Sequence, residues 1–392
     1  IPLFDINEFL IGRLAYRVWR AGGDDPVPEL AASPFRLMMR GDWAAAADEV
    51  ATRHGIPREA VLKFDQNTPP LPGVPQVPLA ASMARLADYP DGSYRELREA
   101  AAAYTGLTPE NVVVGAGADD LILLLAQTFL GPGGRGAVSE PTYALYRIAT
   151  RLHGAAVVDV ADEADLVWAC NPNNPTGSWV DPEELVSLAR ERPDTILVVD
   201  EAYLEFGARS CAPWVDELEN LVVVRTMSKA FGLASLRVGY ALAHTETAAV
   251  LTERRAPAPI SGPSAAIAAA ALRDPRLGDV DATVTERERF RAVLVAAGYD
   301  CPPTATNFLF VATEEPLADR LEAEGIVVRA FPGAIRMTVR RPSENDVLLR
   351  ALGAEPGPTP GREATVLRTT TETALRLTLV SFFEVCQERA DH

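Results

Sequence analysis

Lysine is almost missing from this chain. Of its 37 basic residues only Lys63 and Lys229 are lysine, the rest being arginine, so any chemistry that needs a nucleophilic amine has two candidates. A GC-rich coding bias accounts for such scarcity without reference to function, but the search is narrowed all the same. Cysteine is also sparse. Cys170, Cys211, Cys301 and Cys386 lie far apart with no Cys-x-x-Cys pair, which argues against a disulfide framework or a zinc site and leaves free buried thiols. No apolar run approaches the roughly 20 residues that span a bilayer. The richest stretch, residues 121–130, is short and contains Gln127 and Thr128. An excess of positive charge is missing too: the net charge of -17 argues against broad contact with nucleic acid or an anionic membrane, so small anionic ligands need local cationic pockets. The first residues, IPLFDINEFL, carry acids and lack a basic leader and a small-residue cleavage site, so the expected location is the cytoplasm.

What is present is ample material for a core: 392 residues, 48% of them hydrophobic. Residues 111–244 alternate β-branched runs (NVVVGAG, AAVVDV, DLVWACN, TILVVDEAY, NLVVVRTMSK, RVGYALAH) with helical stretches such as DDLILLLAQTFL and PEELVSLARER. Continuous apolar runs fit strands buried on both faces of a largely parallel sheet, so the class is α/β, with ligands expected at the carboxyl ends of the strands. From about residue 264 the pattern changes to short strands and helices suited to a smaller α+β domain reaching residue 354, followed by a Pro/Gly linker at 355–361. Residues 1–60 read as a helical appendage, with LIGRLAYRVWRAGG and DWAAAADEVATRHG as candidate helices, and residues 362–392 as a strand-like tail.

Four stretches carry chemistry. In NVVVGAGADDLILLLA a strand ends in small residues, Gly115 to Ala118, and Asp119 before a helix, a place where backbone amides bind phosphate. A tight turn capped by Asp119 or Asp120 has the same sequence and needs no ligand. CNPNNPTG places Asn171, Asn173 and Asn174 in a loop after a strand, a pattern that plain turns share. TILVVDEAY ends a buried strand with Asp200, and Tyr203 follows. A carboxylate there is costly unless it meets a cation, either a structural arginine or a ligand. TMSKAFGLASLRVGY sets Ser228, Lys229 and Arg237 after another strand, and Lys229 is the one lysine of the central region.

In this order the motifs NNPTG, VVDEAY and SKAFGLASLRVGY resemble the pyridoxal-phosphate-dependent aminotransferases of fold type I, most closely the histidinol-phosphate subfamily, over about residues 62–352. That resemblance implies an arm at 61–88, a large cofactor-binding domain at 89–263 with a mostly parallel seven-stranded sheet, a smaller domain at 264–354, and a homodimer. It implies that Lys229 holds pyridoxal 5'-phosphate covalently, and that Ser228, Arg237 and the backbone of Ala118 and Asp119 hold its phosphate. Asp200 would partner the pyridine nitrogen, Asn174 and Tyr203 the phenolic oxygen, and Tyr143 would stack on the ring. Tyr89 would reach the phosphate of the neighbouring subunit. Arg336 would bind a substrate carboxylate or its counterpart, with Arg329 near a substrate phosphate. The chemistry asks for the same residue types: a buried lysine as acid and base, and a carboxylate that keeps a ring nitrogen protonated.

Departures concern the substrate. DQNTPPLP has Thr68 where the family has a motif residue, and Arg341 replaces a commonly small one. The appendage resembles a helical-repeat fragment of large bacterial transcriptional regulators, and REATVLRTTTETALRLTL resembles the opening strand of imidazoleglycerol-phosphate dehydratase. The expected activity is transfer of an amino group from histidinol phosphate to 2-oxoglutarate, giving imidazole acetol phosphate and glutamate. An aromatic-amino-acid transaminase, a phosphothreonine-type decarboxylase and a non-catalytic cofactor-binding module are the rival readings.

Overall fold

The six β-branched runs and the short segment Arg135–Val138 meet in one sheet. The computed structural model describes residues 44–68, 86–160, 163–275 and 278–356. In it β2 (Val112–Gly115), β3 (Arg135–Val138), β4 (Ala156–Val158), β5 (Leu166–Cys170), β6 (Ile196–Asp200), β7 (Leu221–Thr226) and β8 (Gly239–Ala243) lie in the order β2-β8-β7-β6-β5-β3-β4. Only β8 runs against its neighbours, and the other pairings are parallel.

The strand period of two explains why these segments are apolar throughout. Val167, Leu197, Val199, Leu221 and Val223 face one side, where α2 (Arg95–Thr105) and α7 (Gly262–Arg273) cover them. Trp168, Val198, Val222 and Val224 face the other, under α3 (Ala118–Phe129), α4 (Leu145–Leu152) and α6 (Thr245–Arg254). Each fully buried aliphatic side chain contributes on the order of 1.5–3 kcal/mol, enough to oblige both faces to be covered. The parallel register brings Cys170 level with Asp200, and Asp200 level with Val224, so the ends of β5, β6 and β7 form one floor.

A second layer holds β9 (Phe308–Ala312), β11 (Arg329–Phe331) and β12 (Ala334–Thr338) as an antiparallel sheet. Phe290 and Leu294 of α8 (Gly278–Ala296), Leu321 of α9 (Leu317–Ala323) and Leu348 and Leu349 of α10 (Pro342–Ala351) pack against it. β1 (Leu62–Lys63) pairs in parallel with β10 (Ile326–Val327) and threads the arm into this layer.

One expected boundary is corrected. The alanine-rich segment from residue 264 was expected in the smaller domain, but α7 buries Ile267, Ala268, Ala269 and Leu272 in the large sheet's core beside Ala100–Ala102 of α2. Small side chains on both helices permit that close approach. Within DWAAAADEVATRHG the helix α1 (Ala47–His54) forms, with Val50 packed on Val61 and Val327. The candidate helix LIGRLAYRVWRAGG and the strand-like tail lie outside the described residues.

Candidate active site

Asp200 closes β6 and is 4% exposed. Its Oδ2 accepts from the Tyr146 hydroxyl at 2.7 Å and its Oδ1 from the Ala202 amide at 3.0 Å. Among the described residues no basic side chain forms an ion pair with it. The structural arginine that the sequence left open is not there. The cation at this level is Arg225, which binds the neighbouring Glu201 at 2.8 Å instead. Burial pushes the Asp200 carboxyl up to about 6, while its two donors hold it lower than burial alone would.

Lys229 follows β7, half-buried, with Nζ 3.3 Å from the Gln66 carbonyl oxygen and 5.6 Å from the centre of the Tyr203 ring. Burial above all, then the Arg336 charge, lowers its amine to about 8. The Tyr203 hydroxyl accepts from Asn67 Nδ2 at 3.0 Å, its ring meets Phe308 edge-on, and burial raises it to about 12.

A cradle for an anion lies at the start of α3. Gly117, with φ of 87°, turns the chain so that the amides of Ala118 and Asp119 begin the helix. The close approach of β8 requires Gly239, because a Cβ there would stand 2.7 Å from the Gly117 carbonyl carbon. Asp120 supports the turn: its Oδ2 accepts from the Ala116 amide at 2.8 Å, whereas the Asp119 carboxylate takes the Tyr143 hydroxyl at 3.0 Å and Arg237 Nη2 at 3.1 Å. The Arg237–Asp119 pair is about half-exposed on both sides, and such pairs contribute only about 0–1 kcal/mol, so Arg237 is readily available to a better anion. Ser228 is buried, and its Oγ accepts from Thr226 Oγ1 at 3.0 Å.

The opposite wall comes from the smaller sheet. Arg336 donates to Asn174 Oδ1 and, at 2.8 Å, to the Asp65 carbonyl oxygen, while its buried Nε has no partner among the described residues. Its guanidinium lies over Phe308 at 5.3 Å and Phe331 at 5.7 Å. Arg329 is its register partner across the hairpin and also lies over Phe331. Arg341 is exposed; its amide donates to Glu344, and Arg340 joins Glu344 to the Lys63 carbonyl oxygen. Tyr89 is not gathered into this cluster, its ring being 93% exposed.

Residues 59–352 match the family described as aminotransferase class I and II. The chain belongs to it. Among relatives of this aminotransferase, a histidinol-phosphate aminotransferase of Caldanaerobacter subterraneus subsp. tengcongensis is 35% identical over 292 residues, covering 67% of this chain and 83% of that one. An aromatic amino acid aminotransferase of Mycolicibacterium smegmatis is 37% identical over 307 residues, 71% and 85% of the two chains. The crystal structure of the histidinol-phosphate aminotransferase from Sinorhizobium meliloti with pyridoxal-5'-phosphate superposes with a TM-score of 0.70 at 27% identity, covering 79% and 94%.

Pyridoxal phosphate is the cofactor of this aminotransferase, and the residues present fit it. The site offers a buried carboxylate that meets no cation among the described residues, an amine lowered to about 8, and an arginine beside a helix N-terminus. Two members of the site escaped the sequence. Tyr146 sits three residues after Tyr143 in EPTYALY, a helical spacing that was a usable signal. Asn67, at φ of 52° and 2% exposed, is fixed by Thr338 and Asn307 from the smaller sheet, contacts far apart in the chain that no local pattern announces.

Proposed function

We propose that this aminotransferase moves an amino group between histidinol phosphate and 2-oxoglutarate, as a cytoplasmic homodimer. The observation that carries the reading is the convergence of Lys229, Asp200 and Arg237 on one cleft whose far wall holds Arg336 and Arg329. Pyridoxal phosphate, when bound, supplies a reactive aldehyde and an electron-withdrawing ring. Ser228, Arg237 and the amides of Ala118 and Asp119 bind its phosphate, Arg237 exchanging the exposed Asp119 for a dianion. Asp200 holds the proton on the ring nitrogen, since a buried carboxylate without a cation stabilises one there. Asn174 and Tyr203 orient the phenolic oxygen and Tyr143 covers the ring.

Lys229 carries the cofactor and moves the proton at the substrate's amino-bearing carbon. At pH 7 an amine at about 8 is neutral in about a tenth of molecules, against about one in 3,000 at its ordinary value. Arg336 trades Asn174 for a substrate carboxylate. Arg329, on the same wall, serves the substrate phosphate, and the aromatic faces of Phe308 and Phe331 keep water from the arginines. Tyr89, exposed in one chain, reaches the phosphate of the partner subunit's cofactor. The intact Lys229, Asp200 and Asn174 count against a non-catalytic module.

The Mycolicibacterium relative favours a second reading, an aromatic amino donor. Purified enzyme given histidinol phosphate, phenylalanine, tyrosine or phosphothreonine with 2-oxoglutarate separates the readings. The highest kcat/KM is expected for histidinol phosphate. Preference for phenylalanine or tyrosine would replace the first reading with the second, and release of carbon dioxide would make the enzyme a decarboxylase.

A further inference from the structure

Tyr146 has no role in the reading above, yet it is the side chain most directly attached to Asp200. It is 0% exposed and stands on α4, one helical turn after Tyr143. Its ring is clamped: it stacks on Trp168 with centroids 5.3 Å apart and planes 12° from parallel. Trp168 Nε1 donates to Thr150 Oγ1 at 3.1 Å, and Thr150 Oγ1 donates in turn to the Tyr146 carbonyl at 2.9 Å. Gly136 makes room for that threonine, since a Cβ there would come within 2.7 Å of it. A ring so held brings its hydroxyl to Asp200 Oδ2 at 2.7 Å.

The surroundings make this donor matter. The titratable groups that act on Asp200 or respond to it are Asp119 from α3, Tyr143 and Tyr146 from the α4 region, Cys170 at the end of β5, Glu201 and Tyr203 just beyond β6, and Lys229 beyond β7. The acids among them oppose a negative charge at Asp200. Cys170 contacts the same tyrosine hydroxyl, and its own thiol is held neutral by burial.

We propose that Tyr146 is a positioning residue of the cofactor site: its hydroxyl fixes the Asp200 carboxylate in orientation and in its charged form, ready for a protonated ring nitrogen. The proposal rests on the assignment of Asp200 to that nitrogen. With Ala202 on one oxygen and Tyr146 on the other, the carboxylate cannot rotate without losing a charge-assisted hydrogen bond.

The test is Tyr146→Phe, which keeps the ring and its stacking. Carbon-13 NMR of aspartate-labelled apoprotein follows the Asp200 titration without cofactor, substrate or turnover, with Asp200→Asn fixing the assignment. The Asp200 titration is expected to move up by about one pH unit, and the Kd of apoprotein for pyridoxal phosphate to rise about ten-fold, the scale of one hydrogen bond to a charged group. If Tyr146→Phe fails to fold, 3-fluorotyrosine at position 146, a stronger donor of nearly the same size, is expected to move the titration down. A purely packing role would change the Tm and leave both the titration and the cofactor Kd at wild-type values, and that result overturns the proposal. Failure of the substrate reading would show in the donor panel and leave this titration untouched.

Discussion

Replacing Lys229 with methionine should abolish transamination and yet stabilise the apoprotein. The side chains are similar in length, so the change removes mainly an ammonium that burial disfavours. Its lowering from 10.5 to about 8, by burial first and the Arg336 charge second, corresponds to about 3 kcal/mol of net penalty on the charged form, at about 1.4 kcal/mol per pH unit. Loss of the 3.3 Å contact to the Gln66 carbonyl offsets about 0.5–1 kcal/mol of that gain, leaving about 2 kcal/mol in favour of the variant at pH 7. Below pH 8 both folded and unfolded wild type carry the charge, so the penalty is fully present. Between pH 8 and 10.5 the folded state releases the proton while the unfolded state keeps it, so wild-type stability rises with pH. Above that window both states are neutral and the advantage of the variant fades. Urea unfolding of cofactor-free wild type and Lys229→Met, at equal protomer concentration from pH 6 to 10.5, reads the difference directly. A less stable variant at pH 7, or a difference that does not shrink as pH rises past 8, would refute the claim that the amine is held above its comfortable charge.

Other outcomes follow from the same geometry. Borohydride reduction of the holoenzyme should fix the cofactor to Lys229 and not to Lys63, whose amine is held 3.2 Å from Asp65, as peptide mapping will show. Asp200→Ala should retain some cofactor but lose most turnover in a coupled glutamate assay, because an unprotonated ring draws electrons poorly; near-normal kcat would refute its role. Light scattering should show a dimer, and Tyr89→Ala should raise the Kd for pyridoxal phosphate; a fully active monomer would remove Tyr89 from the site. Deleting residues from Glu355 onward should leave transaminase turnover within a few-fold, since the family match ends at residue 352. The full chain should not convert imidazoleglycerol phosphate, because a manganese site needs several clustered imidazoles and the tail offers only His392.

Much of this protein was decided by local sequence. Buried strands of a parallel sheet must be apolar on both faces, so runs such as TILVVDEAY and NLVVVR announced the sheet, and the polar residues that end them marked the floor of the cleft. The scarcity of lysine singled out Lys229, and an acid at the end of an apolar strand singled out Asp200, because each is a group whose burial needs a reason. Tertiary structure decided what those groups meet. That Arg225 turns to Glu201 and leaves Asp200 without a cation depends on side-chain direction across β6 and β7, which period-two alternation alone does not assign. That Tyr146 reaches Asp200, Asn67 reaches Tyr203 and Arg336 reaches Asn174 depends on elements 54, 136 and 162 residues apart being packed together. The placement of α7 was settled in the same way. Its alanines satisfy the pattern of either domain, and only the close fit against α2 selects the large sheet. Local pattern fixes which residues must be buried or paired, while the partner of each is fixed by packing, a property of the whole chain.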